Sequence, residues 1–112
     1  MRSLFALVLL GAAMLLAATA SGQTRPALRI LDSWPLTLHG AHFQPRESVR
    51  VTVVMGETTL SRRLQAGTLG GFTVRFAGVR LNYCALPLLI SARGTSSGLV
   101  RTRLPIVDCA MP

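Results

Sequence analysis

The chain has no lysine and very little acid. Its 112 residues carry twelve basic side chains, all arginine, against four acidic ones, Asp32, Glu47, Glu57 and Asp108. The missing lysine excludes a Walker-type phosphate loop, since Gly70-Gly71 has neither the Lys nor the following helix such a loop needs. A glycosidase pair would have to come from Glu47 and Glu57, and both fall in expected turns. Aromatic residues are few, one Trp, one Tyr and four Phe. Phe43, Phe72 and Phe76 read as core, which leaves little for base stacking, so no specific nucleic-acid partner is expected. Cysteine is limited to Cys84 and Cys109, 25 positions apart. With no clustered histidine they make a poor zinc set, and no metal or cofactor is expected.

What the chain does have begins at its N-terminus. Met1, Arg2 and Ser3 form a short positive start, and Leu4 to Ala18 is nearly pure Leu, Ala, Val, Phe and Met, broken by Gly11. Ala18-Thr19-Ala20 then supplies small residues at the −3 and −1 positions. Charge, apolar run and small-residue exit stand in the order of a cleavable secretory signal, so a signal-peptide helix over residues 1–20 and a secreted or cell-surface destination are expected. The run is shorter than the roughly 20 residues that span a bilayer comfortably. Cleavage after Ala20 removes Arg2 from a formal charge of +8 and leaves +7. In an exported chain an even cysteine count reads as a disulfide, so Cys84 and Cys109 are expected to pair. Residues 21–28 read as a flexible leader, and residues 29–112 as one domain.

Within that domain the apolar period is two. Val49, Val51 and Val53 alternate with Arg50, Thr52 and Val54. Phe72, Val74 and Phe76 alternate with Thr73, Arg75 and Ala77, and Val100, Thr102 and Leu104 alternate with Leu99, Arg101 and Arg103. Such alternation sends one set inward and the other to water, as in half-buried antiparallel strands. Gly56-Glu57 and Gly94 to Gly98 read as hairpin turns, and an early strand is expected around Leu36 to Gly40. About seven short strands with turns every 8–12 residues predict an all-β sandwich.

The stretch from Leu38 to Val53 contains Gly40, Phe43, Pro45-Arg46-Glu47 and the alternating valines. It resembles the opening of bacterial extracellular immunoglobulin-like domains, including the IPT/TIG-like group. There the pattern runs Gly, two residues, Phe, then Pro-Gly-Glu and alternating Val. Gly71-Phe72-Thr73-Val74-Arg75-Phe76 is similar to a Gly-x-Phe-x-Val strand of the same modules. The resemblance implies an antiparallel immunoglobulin-like sandwich that binds, spaces or adheres outside the cell, and it brings no catalytic residues. Arg46 stands where the pattern has Gly. Either that position needs φ > 0 and Arg is strained there, or the turn is of another type. On physical grounds Gly40 is expected to make a bend or bulge, Phe43 to plug one end of the sandwich, and Pro45 to preset the turn.

The remaining candidates carry weaker signals. His39 and His42 lie three apart with no third ligand nearby. Asp32, Ser33 and the two histidines hold the ingredients of a hydrolase triad without a nucleophile elbow or oxyanion loop. Trp34 is expected to cover the open end of the sandwich. The outward Arg50, Arg75, Arg101 and Arg103, with Arg62, Arg63, Arg80 and Arg93, form a candidate polyanion-binding face if their strands are neighbours. The expectation is a non-enzymatic exported module. Its partner would be an anionic wall polymer, a membrane surface or another surface protein.

Overall fold

A computed structural model describes residues 24–109. The expected signal helix and its cleavage site lie outside the described residues. Seven strands follow in chain order: β1 (Ala27–Ser33), β2 (Leu36–Ala41), β3 (Ser48–Met55), β4 (Thr58–Gln65), β5 (Phe72–Phe76), β6 (Leu88–Gly94) and β7 (Gly98–Arg101). They form two antiparallel sheets, one ordered β1-β2-β5 and the other β4-β3-β6-β7. The fold is therefore an all-β sandwich of three strands on four. The connections β2–β3, β4–β5 and β5–β6 each cross from one sheet to the other.

The alternating apolar residues meet between the sheets. Leu36, Leu38, Phe72, Val74 and Phe76 from one sheet pack with Val49, Val51, Val53, Ile90 and Ala92 from the other in a single buried cluster. The arginines between them on the strands are exposed, so the period of two assigns both faces. Phe43 seals the end of this core as expected, its ring centroid 5.3 Å from that of Phe72.

Several expectations are corrected. The leader expected over 21–28 is shorter than that among the described residues. Ala27 and Leu28 already belong to β1, and Leu28 is buried. Gly40 is not a bulge, because its pairings with Leu28 and Phe72 are regular. The irregularity lies in β1, between Ile30 and Asp32. Gly40 is needed because one edge of the Phe72 ring packs against it, and a Cβ there would clash with Cε2, Cζ and Cδ2 of that ring.

The Gln44–Glu47 turn is closed by the Glu47 N–H donating to the Gln44 carbonyl at 3.2 Å. Arg46 has φ 62°. With proline at the first central position and positive φ at the second, this is the type II geometry that favours glycine, held here by an arginine. Surrounding bonds hold the strained residue. Its N–H donates to the Gly67 carbonyl at 3.1 Å, and its own carbonyl accepts from Gln65 Nε2 at 3.0 Å.

The disulfide expectation is met. Cys84 and Cys109 are bonded, with Cα atoms 5.6 Å apart. The bridge fastens the segment after β7 to the β5–β6 connection.

Candidate anion-binding face

The register of the four-stranded sheet brings arginines together. On the outer face Arg50 of β3 stands directly opposite Arg63 of β4 on one side and Arg93 of β6 on the other. Neighbouring strands lie about 4.8 Å apart, so three guanidinium stems rise from a span of roughly 10 Å. The next outward row is Ser61, Thr52, Ser91 and Arg101. A depression over the first row is walled by Arg50, Arg63 and Arg93 and closed at one end by Ser48, Thr95 and Ser96. It combines fixed positive charge with the side-chain hydroxyls of Ser48, Thr95 and Ser96, a donor set that suits phosphate, sulfate or carboxylate oxygens.

Of the eight arginines named from the sequence, Arg50, Arg63 and Arg93 form this row, and of the first four named only Arg50 belongs to it. Arg101 is one row further along and Arg103 lies past the end of β7. Arg75 is on the other sheet, opposite Thr37, so the condition that the strands be neighbours is not met for it. Strand alternation makes all of them outward-facing but does not say which strands are neighbours. Arg63 and Arg93 complete the row through a register that only the folded sheet supplies. Arg62 behaves differently. It pairs in register with the buried Val51, on the inward side of the edge strand β4. From there its guanidinium reaches the Phe76 ring, 5.1 Å from the centroid, and donates to the Arg75 carbonyl at 3.3 Å. It thereby latches β4 to β5 and closes one seam of the sandwich.

Glu47 shapes the end of the depression. Among the described residues it is the only buried charged side chain, 7 % exposed. Oε1 accepts from the Gln44 N–H at 2.6 Å and from the Ser97 hydroxyl. Oε2 accepts from the N–H groups of Ser96 and Ser97 at 2.7 and 3.1 Å. Burial raises its pKa, but the Ser97 hydroxyl and the N–H groups of Ser96, Gln44 and Ser97 outweigh that and hold the carboxyl below its ordinary value. The carboxylate thus organises the β6–β7 turn. A Cβ on Gly94 would lie 2.5 Å from Oε2, which is why a residue without one stands there.

The other candidate constellations are not assembled. Ser33 is opposite Leu36, and His39 is opposite Arg29, about 10 Å further along the strands. Asp32 Oδ1 accepts from the Trp34 N–H at 3.2 Å, which makes a local turn. His39 Nδ1 lies 3.2 Å from Thr73 Oγ1. No group of three His, Cys, Asp or Glu residues that could hold a metal occurs among the described residues. Glu47 and Glu57 bracket the whole of β3, roughly 25 Å apart, far beyond the spacing of a glycosidase pair. Trp34 does not cover the core as expected. It is 49 % exposed, with the Arg80 guanidinium 4.3 Å from its ring centroid.

Comparison of the chain with family models, with curated proteins and with solved structures returns no match in any of the three. The class of protein is therefore set by architecture alone, a disulfide-bonded β-sandwich of seven antiparallel strands.

Proposed function

We propose that this chain is an exported, non-enzymatic immunoglobulin-like module that binds an anionic polymer through the outer face of its four-stranded sheet. The observation that carries the reading is the in-register row Arg63, Arg50, Arg93 on three adjacent strands. Like charges directly opposite one another destabilise a sheet, so the row works against the fold unless an anion lies on it. Glu47, the acid next in sequence to the row's end, is engaged with the β6–β7 turn, and Asp32 Oδ1 accepts the Trp34 N–H on the other sheet.

Two further features support the reading. The sheet order β1-β2-β5 and β4-β3-β6-β7 corresponds to strands A-B-E and C′-C-F-G of immunoglobulin-type sandwiches. The apolar first segment with its small-residue exit supports export, which places the module where wall glycans and phosphate polymers are found.

The test is retention of the processed protein on an immobilised glycerol-phosphate polymer at rising salt. Wild type is expected to elute earlier as ionic strength rises. The triple variant R50A/R63A/R93A is expected to bind at least about tenfold more weakly, since each charge-assisted contact contributes measurably. R29A/R75A, on the opposite sheet, should bind like wild type. Equal binding by the triple variant, or binding indifferent to salt, would refute the assignment.

A further inference from the structure

The two seams of the sandwich are built differently. On the β4/β5 side Arg62 spans the gap and lies on Phe76. On the other side β1 and β7 are both edge strands, since β1 pairs only with β2 and β7 only with β6. The two strands come into contact across this seam, and beside them lies an open trough of about 770 Å³ lined by residues 26–33 and by Val100 to Arg103. Its inner surface includes Leu28, Ile30, Val100 and Tyr83. Leu28 is buried, while Ile30, Val100 and Tyr83 are only partly covered by the core they pack against. Its rims carry Arg29, Arg101 and Arg103, and one acid, Asp32, whose Oδ1 already accepts the Trp34 N–H.

From this geometry we infer that the trough is a docking site for an extended acidic peptide, added as a strand along the free edge of β1. A strand edge offers unpaired N–H and C=O groups at a regular spacing, and another extended polypeptide is the partner that repeats that spacing. The alternation within the trough specifies the occupant. Inward positions of the added strand would rest on Ile30 and Val100, and outward positions would stand between Arg29 and Arg101. An apolar–acidic repeat therefore fits, and a basic strand is repelled. A second copy of this chain would bring Arg29 against Arg29, which disfavours self-pairing through β1. The irregularity between Ile30 and Asp32 limits the docking edge to Ala27–Ile30. This site is on a different surface from the arginine row and does not depend on it.

The probe is the synthetic peptide acetyl-(Val-Glu)3-amide, measured against the whole processed protein by fluorescence anisotropy and by amide exchange. It is expected to bind and to slow exchange of amides within residues 27–30. Methylating alternate peptide nitrogens should weaken it at least about tenfold through the lost main-chain bonds. The (Val-Lys)3 peptide should not bind wild type but should bind R101E/R103E, whose rim charge is reversed, and that rescue would show the variant to be folded. Three results would overturn the inference. One is undiminished binding of the methylated peptide. Another is loss of peptide binding in R50A/R63A/R93A, which would move the contact to the sheet face. The third is a concentration-dependent dimer protected at residues 27–30 and not dissociated by the acidic peptide.

Discussion

Replacing Glu47 by glutamine tests the polar end of the sandwich most directly. The carboxylate accepts from three N–H groups and one hydroxyl, on residues up to 50 positions away in sequence. Glutamine keeps one acceptor oxygen. Whichever way its amide is turned, its NH2 then faces a main-chain N–H, of Gln44 or of Ser96 and Ser97. A hydrogen bond to a charged group contributes about 1.5–3 kcal/mol, and leaving a buried donor unmatched costs about 1–3 kcal/mol. These terms overlap, so a net loss of about 2–4 kcal/mol is expected. In a domain of this size that lowers Tm by roughly 10–30 °C.

The pH dependence has a fixed sign. The folded-state pKa of Glu47 lies below its ordinary value of 4.5. Its stabilisation is fully present above the unfolded-state value and is lost as pH falls through the lower folded-state value. Thermal melts from pH 7 to pH 2.5 should show wild type and E47Q far apart at neutral pH and converging in acid. Equal Tm values at pH 7, or a gap unchanged at low pH, would refute the reasoning.

Three further outcomes follow from geometry already described. Arg46→Gly relieves a left-handed conformation costing about 1–2 kcal/mol, less the extra freedom glycine has when unfolded, and should raise stability by about 0.5–1 kcal/mol in urea titrations. Gly40→Ala drives a methyl into the Phe72 ring and should destabilise by about 1–3 kcal/mol in the same assay, with partial recovery in the double variant carrying Phe72→Leu. Cys84→Ser opens the 25-residue separation closed by the bridge and should cost about 3–4 kcal/mol in the chain-entropy view, while intact-mass measurement of wild type shows the two-hydrogen deficit of the closed bond.

How far the sequence foretold this structure differs from element to element. Val49, Val51, Val53 and Phe72, Val74, Phe76 declare their strands because a period of two puts identical chemistry on one face. Strand β1 has no clear period because Leu31 follows directly on Ile30 and breaks the alternation begun by Leu28 and Ile30. The register slips after Ile30, and Leu31 is half exposed. The outward direction of Arg50 was legible from Val49 and Val51 beside it. Its company was not, since Arg63 and Arg93 arrive through hairpin and cross-sheet registers that local pattern does not encode. Glu47 looked like an ordinary turn acid because two of its partners, Ser96 and Ser97, are contributed by a distant hairpin. The spacing of Gln44 and Glu47 was the one local hint, as a side chain three positions on can reach back to an N–H.

The bridge between Cys84 and Cys109 encloses β6, β7 and the turn joining them in one covalent ring. Thr95 and Ser96 are exposed at the tip of that ring, where a protease would first find backbone to cut. A single nick there leaves both products joined through sulfur, with each strand still held by its neighbours. Damage of this kind would pass unseen on a non-reducing gel and become visible only after a thiol is added.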